Sequence, residues 1–156
     1  MKIMNIQGII CLVIIFLFAN QAWAAEWIHY MSNASGNSYY DKSSIKKVNK
    51  NISSVWTKVI FNKDGKTKAF SFLKSINKAP DNPDILDLEL RLLEIDCVNK
   101  KSRISSASFY NKKGNVVFSL PQNVYGEWQK IIPKSSSETL NNKVCSAGNA
   151  SKTKKK

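Results

Sequence analysis

The sequence has little of what most chemistry requires. Its single histidine, His29, makes a multi-histidine metal centre or a histidine-based catalytic relay hard to assemble. The serines stand in no recognisable nucleophile motif with His and Asp partners. Asp81-x-x-Asp84-x-x-Asp87 lacks the spacing and the central glycine of a calcium loop. The expectation is no catalytic residue, no metal and no cofactor. His29 itself, inside the alternating run Trp27-Ile28-His29-Tyr30-Met31, reads as a sheet-face residue. Arginine is scarce as well. Arg91 and Arg103 alone could make bidentate contacts to bases, which argues against a specific nucleic-acid partner. What is present suffices for one domain: 156 residues, 43% hydrophobic and 10% aromatic, exclude global disorder and low-complexity classes.

Long apolar runs are confined to the start of the chain. Lys2, the apolar stretch from Ile9 to Ala19 and the small-x-small site Ala22-Trp23-Ala24 have the order of a secretory signal peptide, with cleavage expected after Ala24. The stretch is shorter than the roughly 20 residues a membrane span needs, so no transmembrane span is expected after cleavage. Cys11 lies in a poor lipoprotein box. Its removal with the leader leaves Cys97 and Cys145, and an even count in an exported protein reads as one disulfide. Closing a loop of roughly 50 residues, that bond would contribute up to about 4 kcal/mol.

Periodicity after the leader favours strands. Val55, Thr57, Val59 and Phe61 alternate with polar or outward positions, so 51–61 is predicted as a long strand. Asn62-Lys63-Asp64-Gly65-Lys66 contains Asp-Gly and reads as a hairpin turn, with Phe70 and Phe72 on one face of a returning strand. Pro80 and Pro83 place a loop between Ser75 and Asp84. From Ile85 to Val98 the apolar phase runs Leu86, Leu88, Leu90, Leu92 and then slips to Leu93, Ile95, Cys97. A strand with a bulge at Leu92-Leu93 accounts for the slip. A helix capped by Asp84 is the competing reading. A further strand, a turn at Asn111-Lys112-Lys113-Gly114-Asn115, and a strand from Val116 follow. Ser135-Ser136-Ser137-Glu138 matches a capping box, so a short helix carrying Leu140 and Val144 inward is expected to end near Cys145. The fold class is α+β: an antiparallel sheet of five or six strands packed with a C-terminal helix and stapled by one disulfide. The expected organisation is a leader over 1–24, a domain over 25–145, and a disordered lysine-rich tail over 146–156.

Taken in order, these residues resemble the surface-adhesin protein E family of exported bacterial proteins. The resemblance rests on Ala24-Ala25-Glu26-Trp27, Tyr39-Tyr40-Asp41 with Ser44-Ile45, Val55-Trp56 and Leu93-Glu94-Ile95-Asp96-Cys97. It continues through Arg103, Tyr110 with Gly114, Trp128 with Ile131, Pro133 and Ser135, and Val144-Cys145. Three departures stand out: the lipobox is missing, Lys134 follows Pro133 where the family usually has Gly, and lysines extend past the last Cys. The resemblance implies an antiparallel sheet packed by a helix, no catalytic activity and, in the adhesins that named the family, binding to host extracellular-matrix glycoproteins. Trp27, Tyr40, Trp56 and Trp128 then read as core or sheet-face aromatics, and Asp41 as the cap of a turn.

Charge is the remaining signal. The chain carries 24 basic and 11 acidic residues, a net +13, of which the leader holds only Lys2. Acids concentrate between Asp81 and Asp96, leaving other surfaces more basic than the total suggests. Candidate partner-binding lysines are Lys46 and Lys47, with Lys42 and Lys50 nearby; Lys63 and Lys66, with Lys68; Lys112 and Lys113; and Lys152, Lys154, Lys155 and Lys156 in the tail. Lys100, Lys101 and Arg103 form a further patch. Such a field attracts sulfated glycans, acidic matrix glycoproteins or lipopolysaccharide phosphates over a salt-limited range. The terminal lysine also suits lysine-binding host domains. The expected function is therefore noncatalytic adhesin-type capture at the periplasm or cell surface. The alternative is a periplasmic structural or envelope accessory protein whose charge is incidental.

Overall fold

The computed structural model describes residues 25–120 and 126–150. The leader expected over 1–24 and the tail lysines Lys152, Lys154, Lys155 and Lys156 lie outside the described residues. The elements in chain order are β1 (Trp27–Asn33), β2 (Gly36–Asp41), β3 (Lys46–Lys47), β4 (Ile52–Phe61), α1 (Lys63–Ser75), β5 (Leu86–Asp96), β6 (Lys101–Asn111), β7 (Val116–Leu120), β8 (Gln129–Lys130) and α2 (Ser136–Ala150). Short 3-10 turns cover Lys42–Ser44 and Pro83–Ile85. Every strand pairing is antiparallel. The main path runs β1-β2-β4-β5-β6-β7, while β3 extends β4 and β8 extends β6. The α+β class, the C-terminal helix and the disulfide agree with the sequence reading.

Both helices cover the same face of this sheet. Along β4 the inward set is Ser53, Val55 and Thr57, each buried, with Val59 and Phe61 following in phase. Helix α2 lays Leu140 and Val144 on Tyr40, Val55 and Ile95. Helix α1 lays Ala69 and Leu73 on Leu86 and Phe109. The apolar core is thus two clusters under two helices.

The expected hairpin at Asn62–Lys66 is instead the start of α1, and Phe70 and Phe72 are helical. Asn62 caps the helix by accepting from the Gly65 amide at 2.9 Å, and Asp64 sits in the favourable first turn. Gly65, Ala69 and Leu73, four apart, form its buried stripe, which the Asp-Gly dipeptide masked. Gly65 serves close approach and not a left-handed turn: a Cβ there would lie 1.9 Å from the Ser35 carbonyl oxygen. Asn77, at φ 58°, ends the helix in the left-handed region, and the Lys78 amide returns to the Leu73 carbonyl at 2.8 Å.

The 85–98 segment is the strand and not the helix, but its phase differs from the expected one. Pairing between β5 and β6 does shift at Leu92/Leu93, yet the extra residue there is Ser105 of β6, while pairing to β4 stays regular through Trp56↔Leu92 and Val55↔Leu93. The bulge within β5 is at Asp87. It lets Leu86 and Glu89 both face inward. Beyond it Glu89, Arg91, Leu93 and Ile95 face the helices, and Leu88, Leu90 and Leu92 occupy the outer face beside Ile60, Lys58 and Trp56. Two carboxylate and guanidinium groups inside, and three leucines outside, are what misled the period-two reading.

Cys97 and Cys145 form the expected disulfide, with Cα atoms 5.7 Å apart. Ser135 caps α2 by accepting from the Glu138 amide at 3.3 Å, and the Glu138 carboxylate accepts from the Lys134 amide at 2.7 Å. Lys134 itself has φ 60°, a left-handed conformation that glycine adopts without strain. The helix continues to Ala150, several residues beyond the end near Cys145 expected for it.

Two outcomes follow from this packing. Gly65→Ala should lower stability by about 1–3 kcal/mol in chemical denaturation, because backbone must move to accept the new methyl. Cys97→Ser should cost about 2–4 kcal/mol; an intact mass unchanged by alkylation without reductant, and raised for both cysteines after reduction, checks the bond itself.

Candidate functional site

The β-register sorts the candidate lysines into opposite ends of the sheet. Lys46 pairs with Ser54, Ser54 with Glu94, and Glu94 with Arg103, while Asp96 pairs with Lys101 and Lys101 with Lys130. One band across β3, β4, β5, β6 and β8 therefore carries Lys46, Lys101 and Lys130 on the face away from the helices, while Lys47, opposite the buried Ser53, stands at the same edge on the other face. Lys50 and Lys100 lie in the turns of the same end, where the Cys97 amide donates to the Asn51 carbonyl and the Ile131 amide to the Lys100 carbonyl. At a strand spacing of about 4.8 Å the band spans roughly 19 Å. The disulfide closes this end.

Lys112 and Lys113 project from the β6–β7 turn at the opposite end, and Lys63 and Lys66 stand on the first turns of α1 beside it. A strand the length of β4 puts the ends about 30 Å apart. This second end is mixed in sign: Asp64, Asp81, Asp84 and Asp87 share it, and the Lys66 Nζ donates to the Asp84 carbonyl at 3.4 Å. The structure thus separates Lys46 and Lys47 from Lys63, Lys66, Lys112 and Lys113.

At the disulfide end Glu94 and Asp96 are already engaged, while Glu127 is exposed. Glu94 accepts from Arg103 Nε and Nη2 at 2.9 and 2.6 Å, and the Arg103 guanidinium lies over the Trp128 ring, 4.5 Å from its centroid. Asp96 accepts from the Asn99 and Val98 amides and the Asn99 side chain. Those hydrogen bonds, those from Asn99 foremost, hold its carboxyl below the ordinary 3.8, with the Lys101 charge adding to them. Lys46, Lys47, Lys50, Lys100, Lys101 and Lys130 form no ion pair among the described residues. Lys130 escaped the sequence reading. It is separated in sequence from the others, and only the short β8 pairing brings it to Lys101.

The sheet's other notable polar group lies on the helix-covered face, between the two apolar clusters. Arg91 donates through Nε and Nη2 to the Glu89 carboxylate. Burial alone would lower the Arg91 pKa; the hydrogen bond and charge of Glu89 outweigh it, and the net shift is upward. Tyr30 is pushed upward by burial, against a hydrogen bond with Ser38 and the Arg91 charge. A cleft of about 540 Å³ opens over this pair, bounded by α1 on one side and α2 on the other.

Other expectations find their places. Tyr40 is core, and Trp27, Trp56 and Trp128 are half-buried. Lys58 lies over the Trp27 and Tyr39 rings at 4.4 and 5.4 Å. Asp41 caps the 3-10 turn, accepting from the Ser43 amide at 2.9 Å and the Glu26 amide at 2.9 Å. His29 is exposed on β1 and shares a hydrogen bond with Ser32. Among the described residues no group of three His, Cys, Asp or Glu side chains is placed to hold a metal, and no helix is long and apolar enough to cross a membrane.

The Asp96 turn gives a pH test. Its folded pKa is depressed, so its contribution to stability is fully present above 3.8 and is lost as pH falls through the folded value. The carboxyl and the Asn99 amide should titrate together by NMR, with a midpoint below 3.8, and Asp96→Asn should remove that transition.

No curated protein and no solved structure matches the chain. The family model for surface-adhesin protein E matches residues 27–146, from the first residue of β1 to just past the disulfide. With that match spanning the sheet, α1, most of α2 and the stapled end, the chain belongs to the surface-adhesin protein E family.

Proposed function

We propose that this chain is an exported, noncatalytic adhesin-type binding protein that captures an anionic partner through the lysine band at the disulfide end of its sheet. The carrying observation is the register, which gathers Lys46, Lys101 and Lys130 on one face, with Lys47 at the same edge, in a band where Glu94 is paired with Arg103 and Asp96 accepts from its own turn. Unneutralised ammonium groups on a rigid strand scaffold keep their geometry while exposed to solvent. They suit repeating anions such as the sulfates of matrix glycans, acidic stretches of matrix glycoproteins or the phosphates of lipopolysaccharide. Lys152, Lys154, Lys155 and Lys156, which follow α2 in sequence, would raise the local concentration of positive charge for such a partner. Export by the leader over 1–24 belongs to the same reading, which makes the periplasm or bacterial surface the place of action. The mixed-sign end with Lys63, Lys66, Lys112 and Lys113 is assigned a lesser part, because its acids offset its lysines.

Charge reversal separates the two ends. Lys46→Glu/Lys47→Glu and Lys101→Glu/Lys130→Glu should each weaken heparin binding roughly tenfold, about 1.4 kcal/mol, and flatten its salt dependence. Lys112→Glu/Lys113→Glu should change it far less. Equal losses from both ends, or binding indifferent to salt, would defeat the proposal.

A further inference from the structure

We propose that the cleft between the two helices binds a small amphipathic carboxylate, with the Arg91 guanidinium as its anchor. The site is distinct from the lysine band and rests on different residues.

The sheet carries a polar arrangement that the fold does not need. Sheet positions between the Val55/Ile95 cluster and the Leu86/Phe109 cluster could have been apolar, merging them into one core. Instead Glu89 and Arg91 stand there, and Thr57 lies directly opposite Arg91 on β4. A buried ion pair adds little net stability, because desolvation of both charges offsets their attraction. Its value lies in what it presents. Glu89 is sealed, its side chain 5% exposed, whereas that of Arg91 is 37% exposed and lines the cleft. The carboxylate holds the guanidinium by Nε and Nη2. A guanidinium has five N–H groups, so this side-on contact leaves the Nη1/Nη2 end as a free fork, and Nη1 makes no hydrogen bond among the described residues. That fork is the complement of a carboxylate.

The rest of the cleft defines the remainder of the ligand. Its volume, about 540 Å³, is in the range of roughly 300–1,000 Å³ usual for small-molecule sites. Towards α1 its wall is aromatic: Phe61, Phe109 and Phe72, with Phe72 stacked on Phe109 yet 45% exposed at the mouth. Such exposure of a large apolar ring beside a concavity suits a hydrocarbon occupant. Lys68, on the exposed side of α1, adds a second positive charge at the rim. Of the other charged residues on the lining, Arg103 is paired with Glu94 and Glu127 is an exposed carboxylate that Lys68 offsets, so the preference for an anion rests on the Arg91 fork with Lys68 beside it. A cationic or neutral ligand would lack these contacts. An alkyl carboxylate uses both the fork and the aromatic wall.

The test is isothermal titration of the full chain with sodium dodecanoate below its micelle concentration, and with dodecan-1-ol as the uncharged control. Dodecanoate should bind one to one and at least about tenfold more tightly than the alcohol, the difference expected for a charge-assisted pair. Glu89→Gln/Arg91→Gln, which keeps a polar pair without charge, should erase the preference for the acid while leaving alcohol binding in place. Lys68→Glu, an exposed change that leaves the core untouched, should weaken dodecanoate alone, and Phe72→Ala should weaken both ligands. Lys46→Glu/Lys47→Glu should alter neither, so loss of heparin binding and loss of this site are separable. No binding of dodecanoate, equal affinity for acid and alcohol, or a Lys68→Glu variant with unchanged acid affinity would each overturn the proposal.

Discussion

The fold depends on how, among the described residues, both helices cover one face of a single sheet. Eight strands offer two faces, and both helices lie on the same one. The seating of α2 is the decisive contact. Leu140 and Val144 are almost fully buried on Val55, Ile95 and Tyr40, and the Cys97–Cys145 bond fixes the helix to the residue that follows β5. In a chain this small such a tie supplies a substantial part of the net stability. It also fixes the β5–β6 turn, which carries Lys100 and leads into Lys101. The lysine band therefore inherits its rigidity from the contact that closes the core.

On the other face, among the described residues, the sheet's own side chains shield one another. Leu88, Leu90 and Leu92 lie there among Trp56, Ile60, Tyr110 and Lys58, shielding one another while remaining half exposed. Lys58 lies over Trp27 and Tyr39, placing a charge where the aromatic surface would otherwise be unbroken. On the covered face the opposite exchange occurs, with Glu89 and Arg91 turned inward. For β5 the bulge at Asp87 lets Leu86 and Glu89 share the covered face and leaves Leu88, Leu90 and Leu92 outward.

Those exchanges mark where the sequence could be read and where it could not. Strand β4, the turn at Gly114, the cap at Ser135 and the disulfide were legible, because each uses a local rule: alternation, a left-handed glycine, a reciprocal cap, an even pair of cysteines. Helix α1 was not, because Asp64-Gly65 carries a stronger local hairpin signal than the four-residue spacing of Gly65, Ala69 and Leu73. Tertiary contact with Ser35 decides that Gly65 is helical. In β5 the apolar pattern suggested one inward face, but an ion pair can be inward when each charge satisfies the other. The lysines were all visible in the sequence; their division between a stapled end and a mixed-sign end was not. That division comes from strand register, and for Lys130 from a pairing only two residues long.

The central functional claim is that one end of the sheet, and not net charge at large, meets the anionic partner. Backbone amide shifts during titration of the isotope-labelled chain with a short heparin oligosaccharide test it most directly. The account predicts that the largest changes fall at 46–50, 98–103 and 128–131, and that they shrink as salt is raised. Changes centred instead on 63–66 and 112–113, or spread evenly over all exposed lysines, would contradict it.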